Sequence, residues 1–179
     1  MEMKRGFRLV LVICFVLLLA VSSSCKENAL IIVEYTVADP ESKVPNVFIT
    51  GLNYGPKTQG PFDRVKTFYV TEMDDAGALF EEYGFSEEVK KTYDAGWFQT
   101  SSLAVVILFT NPAYGHCVTA MEILEDAIAV SVQEIEPYAH NSLGTFKAIL
   151  IGIPKEEAPA QAEVKAEIEK VLEADASKQ

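Results

Sequence analysis

The chain has 179 residues, 26 of them acidic and 15 basic, for a net charge of −11. That balance argues against nucleic acid as a partner and against binding an anionic lipid surface by charge alone. A composition of 49% hydrophobic and 23% charged residues belongs to a globular chain long enough to bury a core, not to a disordered one.

Residues 1–8, MEMKRGFR, carry Lys4, Arg5 and Arg8, and residues 9–21 follow as 13 apolar positions without a charge. As a helix this run spans roughly 20 Å, short of the ~30 Å hydrocarbon core of a bilayer. A basic start, a short apolar run and small residues after it form the pattern of a secretory signal, the alternative being an uncleaved signal anchor. Export with loss of residues 1–24 is the expectation. Of the three cysteines, Cys14 lies in the apolar run and would leave with it, so Cys25 and Cys117 can form at most one disulfide. The stretch SSSC, ending at Cys25, resembles a bacterial lipoprotein signal, in which small residues precede a cysteine that becomes the new N-terminus. Ser22 departs from that pattern, where an aliphatic residue is usual. The resemblance implies lipid on Cys25 and a chain anchored to the outer face of the bacterial cell membrane. The alternative is a cut nearby by another peptidase, leaving Cys25 free to pair with Cys117.

Residues 29–37, ALIIVEYTV, are β-branched and apolar and predict a strand. After a loop marked by Pro40 and Pro45, NVFITGLNY predicts a second strand, and DRVKTFYVT, beyond the turn-rich GPKTQGPF, a third. The period then changes. Thr71 is a candidate cap, Asp74 and Asp75 suit the positive end of a helix, and Leu79, Phe80 and Tyr83 share one helical face, with Gly84 as the stop. Ser86 begins a second short helix with a basic last turn.

Residues 102–109, SLAVVILF, are apolar on both faces, which predicts a central strand. NPAYG turns the chain into HCVTAMEIL, a two-residue turn leads to AIAVSVQEI, alternating at Ile128, Val130 and Val132, and a longer loop leads to FKAILIGIP. These loop lengths predict a four-stranded antiparallel meander. The fold class is therefore α+β and β-rich, an antiparallel meander or barrel-like sheet with one or two short helices, over residues 25–155. Residues 156–179 are rich in Ala, Glu and Lys, with a thin apolar stripe at Val164, Ile168 and Val171 or Leu172, and predict a flexible or helical acidic tail.

GALFEEYGF, YDAGWFQTSSLAVVILFTNPAYGHCVTAMEI and VSVQEIEPYAHNSLGTFKAILIGIPK together resemble a group of small clostridial lipoproteins of unknown function and, more distantly, the PrcB-like protease-complex-subunit domain. The resemblance covers residues 65–155. It implies an exported β-rich domain that acts as an accessory in an assembly, and it carries no catalytic motif.

No GxSxG, HExxH, CxxC or P-loop pattern occurs, and no cofactor is indicated. The two histidines, His116 and His140, would need Cys117 or carboxylates to complete a metal site, at spacings no known site demands, so no metal is expected. A Cys117–His140 nucleophile pair has no motif behind it. Strand parity puts Cys117 on the face of Thr119, Met121 and Ile123, as a small buried thiol, and His116 on the opposite face with Ala120 and Glu122. Glu134 and Glu136 are expected to solvate a strand end. In a meander, NPAYG and EPYAHNSLGT share one end, which makes Tyr114, His116, Tyr138 and His140 a candidate binding rim; the alternative is that they cap the sheet. Two functions follow: a membrane-tethered, non-enzymatic module that binds a protein partner, or an extracytoplasmic hydrolase with a site assembled from loops.

Overall fold

The computed structural model describes residues 39, 41–53, 64–137 and 143–176, all within one compact unit. Cys25, the strand expected at 29–37, Tyr138 and His140 lie outside the described residues. In chain order the elements are β1 (Val47–Gly51), β2 (Val65–Val70), α1 (Met73–Tyr83), α2 (Glu87–Thr92), α3 (Trp97–Thr100), β3 (Ser101–Thr110), β4 (Gly115–Ile123), β5 (Ala127–Glu136), β6 (Thr145–Pro154), β7 (Glu163–Leu172) and α4 (Glu173–Ala176). The fold is α+β and β-rich, as the sequence predicts. Among the described residues no helix is long and apolar enough to cross a membrane.

The helices begin and end where local chemistry directs. Glu72, not Thr71, precedes α1, and its side chain makes no capping bond. Leu79, Phe80 and Tyr83 are buried along one face, and Gly84 closes the helix at φ 66°, with its N–H bonded to the Phe80 carbonyl. That left-handed conformation suits a residue without a Cβ. Ser86 caps α2 by accepting the Val89 N–H at 3.3 Å. Asp94 accepts the Trp97 N–H at 2.8 Å and so starts the single turn of α3.

The meander is replaced by two sheets. One has the order β1-β6-β3-β2, antiparallel throughout, and the other the order β4-β5-β7. β3 pairs with β2 and β6 and not with β4; β4 pairs antiparallel with β5, and β5 pairs in parallel with β7. Neither sheet closes into a barrel. The reason lies in the side chains of β3 and β6, which are apolar on both faces and require cover on both. Leu103, Val105, Ile107, Ala148 and Leu150 meet the helices through Phe80, Tyr83 and Phe98. Ala104, Val106, Leu108, Ile149, Ile151 and Ile153 meet the second sheet through Val118, Ile128, Val130, Val132 and Val164. The result is three layers, with helices on one side of the first sheet and the second sheet on the other.

Residues 163–172 correct the expectation of a loose or helical tail. They form β7, in register with the whole of β5 from Ala127↔Glu163 to Glu136↔Leu172. The segment leading to it is tied down as well, by Lys155 N–H to Thr100 O at 2.9 Å and by the Tyr69 hydroxyl to Pro159 O at 2.7 Å. Val164, Ala166 and Ile168 face the core between the sheets, and Glu163, Lys165, Glu167 and Glu169 face solvent. The apolar positions fit both a period of 3.6 and a period of 2, and cross-sheet burial selects the strand over the helix propensity of Ala, Glu and Lys.

A bulge between Val118 and Ala120 corrects the parity assigned to β4. Beyond it Met121 and Ile123 face the core; before it Val118 does, and His116, two residues earlier, is fully buried. One extra residue reverses which face a side chain occupies. The start of the free edge of β4 is met by Asp39, Ser42 and Lys43: the His116 N–H bonds to Asp39 Oδ1 (2.8 Å), the Val118 N–H to Ser42 Oγ (3.1 Å), and the Lys43 N–H to Val118 O (2.9 Å). These bonds satisfy the first half of the edge.

Candidate functional site

The end of β3, the start of β4 and the end of β5 converge between the two sheets, and there the alternation that buries Ile128, Val130 and Val132 reaches Glu134. Glu134 does not solvate a strand end: it is 1% exposed, and His116, opposite it in the β4–β5 ladder, is fully buried. A carboxylate placed in a core must find cations and donors or lose its charge.

Glu134 finds four partners. Thr110 donates its hydroxyl to Oε2 at 2.8 Å, and His116 Nε2 lies 3.4 Å from the same oxygen. Arg64, just ahead of β2, pairs with Oε1, and Lys170 of β7 lies 3.4 Å from it. Burial alone would raise the carboxyl pKa. The bonds from His116 and Thr110 and the charge of Arg64 outweigh it and hold the group down at about 2.

The other ring nitrogen, Nδ1, lies 3.4 Å from Lys147 Nζ and 3.8 Å from Asp39 Oδ1. A carboxylate can only accept, so the contact of Nε2 with Glu134 requires a proton on that nitrogen. Lys147 also bonds to the Tyr114 carbonyl at 2.7 Å and approaches Asp39 at 3.5 Å. Burial raises the pKa of Asp39, but its bonds from His116 and the charge of Lys147 bring it below the ordinary value. Tyr114 is buried, its ring 5.7 Å from Lys170 Nζ, and burial with a bond to Glu136 pushes its hydroxyl up to about 12.

Of the residues expected to form a rim, Tyr114 and His116 are therefore brought together, but beneath the surface. Cys117 is a free, buried thiol whose pKa burial raises. Among the described residues no three His, Cys, Asp or Glu side chains gather as metal ligands would. Sequence reasoning missed Glu134, although its parity with Ile128, Val130 and Val132 was a usable signal. Arg64 and Lys170 carry no such signal, because only the pairing of the sheets brings them near.

The chemical capacity of this cluster is limited by its saturation. A carboxylate has about four acceptor positions, and those of Glu134 are taken by two donors on one oxygen and two cations on the other. What the arrangement does is join β2, β3, β4, β5 and β7 at one end of the molecule. Compared with protein-family models, with curated proteins and with solved structures, the chain finds no match in any of the three.

Proposed function

We propose that the chain is exported, carries lipid on Cys25 and works at the outer face of the bacterial cell membrane as a non-enzymatic binding or complex-accessory module. The saturation of Glu134 carries the non-enzymatic half of this reading. A general base near neutral pH needs a free lone pair and a pKa close to the working pH; the carboxylate of Glu134 has neither, and the imidazole beside it is enclosed. The apolar segment followed by SSSC supports the tether, and the resemblance to a protease-complex subunit supports a protein partner. No nucleic acid is expected with a net charge of −11.

Mass spectrometry of the protein from solubilised membranes tests the tether, and its co-purifying proteins test the partner. The expected result is loss of residues 1–24, added acyl mass on Cys25 and one stoichiometric companion. A soluble product with unmodified Cys25 overturns the tether. A hydrolytic activity abolished in a folded Glu134→Gln variant overturns the non-enzymatic reading.

A further inference from the structure

At the opposite end of the first sheet from Glu134, the start of β1, the end of β6 and the turn between α2 and α3 enclose a cleft of about 320 Å³. Its walls are Asn46, Phe48, Tyr93, Trp97, Ser101 and Gly152, among others, and among the described residues no charged side chain lines it. That neutrality stands out in a chain of net charge −11. Tyr93 and Trp97 meet nearly at right angles, with ring centroids 4.8 Å apart and planes inclined by 80°. Phe48, on the edge strand, is 45% exposed.

The backbone is shaped around this cleft. A Cβ at Gly152 would stand 3.1 Å from Trp97 Cζ2 and 3.4 Å from the Asn46 Cβ, so glycine is what lets the indole settle onto β6. Asn46 is the one non-glycine residue with positive φ, 57°, among the described residues. Its carbonyl accepts the Gly152 N–H at 3.0 Å. The Asn46 amide, the Trp97 indole N–H and the Ser101 hydroxyl have no protein hydrogen-bond partner among the described residues.

The geometry points to a binding site for a neutral saccharide of one to three rings. A sugar ring has an apolar C–H face that packs on an aromatic face and a rim of hydroxyls that exchange bonds with neutral polar groups. Phe48 and the half-buried Trp97 are the aromatic surfaces on offer, Tyr93 backing the indole from the core, and neutral polar residues stand beside them; the cleft is at the small end of the ~300–1,000 Å³ typical of ligand sites. A quaternary ammonium would also suit aromatic walls, but it would leave the amide, hydroxyl and indole N–H unused, and no carboxylate lines the cleft to balance its charge. A proline-rich peptide needs a longer groove. This site is separate from the Glu134 cluster and stands whether or not the chain is lipidated.

Trp97 is the only tryptophan in the chain, so its emission reports this cleft directly. Titration of the full chain with N-acetylchitotriose, cellotriose and maltotriose should give a saturable change in that emission with at least one of them, in the millimolar range or below. Asn46→Gly keeps the positive φ and removes the side chain with its amide. It should weaken that sugar by about tenfold, as loss of one hydrogen bond to a ligand does, with an unchanged melting temperature. A Trp97→Phe variant, followed by calorimetry, should also bind more weakly. Absence of saturation with all three sugars overturns the proposal whatever the variants do. So does saturation by choline or a polyproline peptide in place of a sugar, or sugar binding that Asn46→Gly leaves untouched while the variant is folded.

Discussion

At Glu134 opposing effects act on a single carboxyl group: burial raises its pKa, whereas His116, Thr110 and Arg64 lower it, with the outcome at about 2 against an ordinary 4.5. Because the folded-state value is depressed, the associated stability is fully present above the unfolded value near 4.5. It declines as the pH falls toward 2 and is gone below that. Both cations are about half exposed, Arg64 at 46% and Lys170 at 48%, so screening reduces the gain to on the order of 2 kcal/mol. Glu134→Gln should lose about that much at pH 7, and its urea midpoint should change less than the wild type's between pH 5 and pH 2.5. Equal pH slopes in the two proteins would show that the stabilisation comes from elsewhere. The opposite case is Ser102, whose hydroxyl is buried with no hydrogen-bond partner among the described residues. Ser102→Ala removes an unsatisfied group, so it should leave stability unchanged or raise it by up to about 1 kcal/mol in the same denaturation experiment.

Among the elements, β7 carries the clearest expectation. It completes the second sheet beside β5 and buries Val164 between the layers. Hydrogen exchange should therefore find the amides of residues 164–170 that bond to β5 protected well above those of a loose tail. Ile168→Pro should destabilise the domain by about 3 kcal/mol or more, since proline removes a donor and fits poorly in a sheet. Ready trimming of this strand by protease, with the remainder still folded, would contradict both. The strand positions themselves were legible in the sequence, since β2 through β6 each follow a run of β-branched or alternating apolar residues. So were the Ser86 cap and the Gly84 stop, which depend on a few neighbouring residues. The pairing was not legible. Loop length favours β3 beside β4, and only the double-sided burial of β3 and β6 separates them into a different sheet. The bulge at Thr119 is equally silent in sequence, and it alone turns His116 from the outer face to the inner one. For the same reason a buried ion cluster read as an exposed rim: Tyr114 and His116 are at the expected end of the strands, but they point into the layers.

At the scale of the whole molecule, the first sheet is shared by two cores, one against the helices and one against the second sheet. The central position of β6 has a consequence for when the chain can fold. β1 touches no other strand of the first sheet, and its register is with β6 alone, Val47 opposite Ile151 and Gly51 opposite Lys147. β3 likewise lacks one of its two neighbours until β6 arrives, and β5 waits for β7. Nearly every pairing thus spans a long stretch of chain, which makes folding slow relative to helical or local topologies. A fragment ending at residue 144 should remain unfolded, with neither the circular dichroism nor the cooperative melt of the full chain. During synthesis from the N-terminus, then, the emerging polypeptide has no stable intermediate to settle into before its last fifth is made. Until then the apolar faces of β3 and β5 lack the strands that cover them, and that exposed surface is what a chaperone or a protease meets.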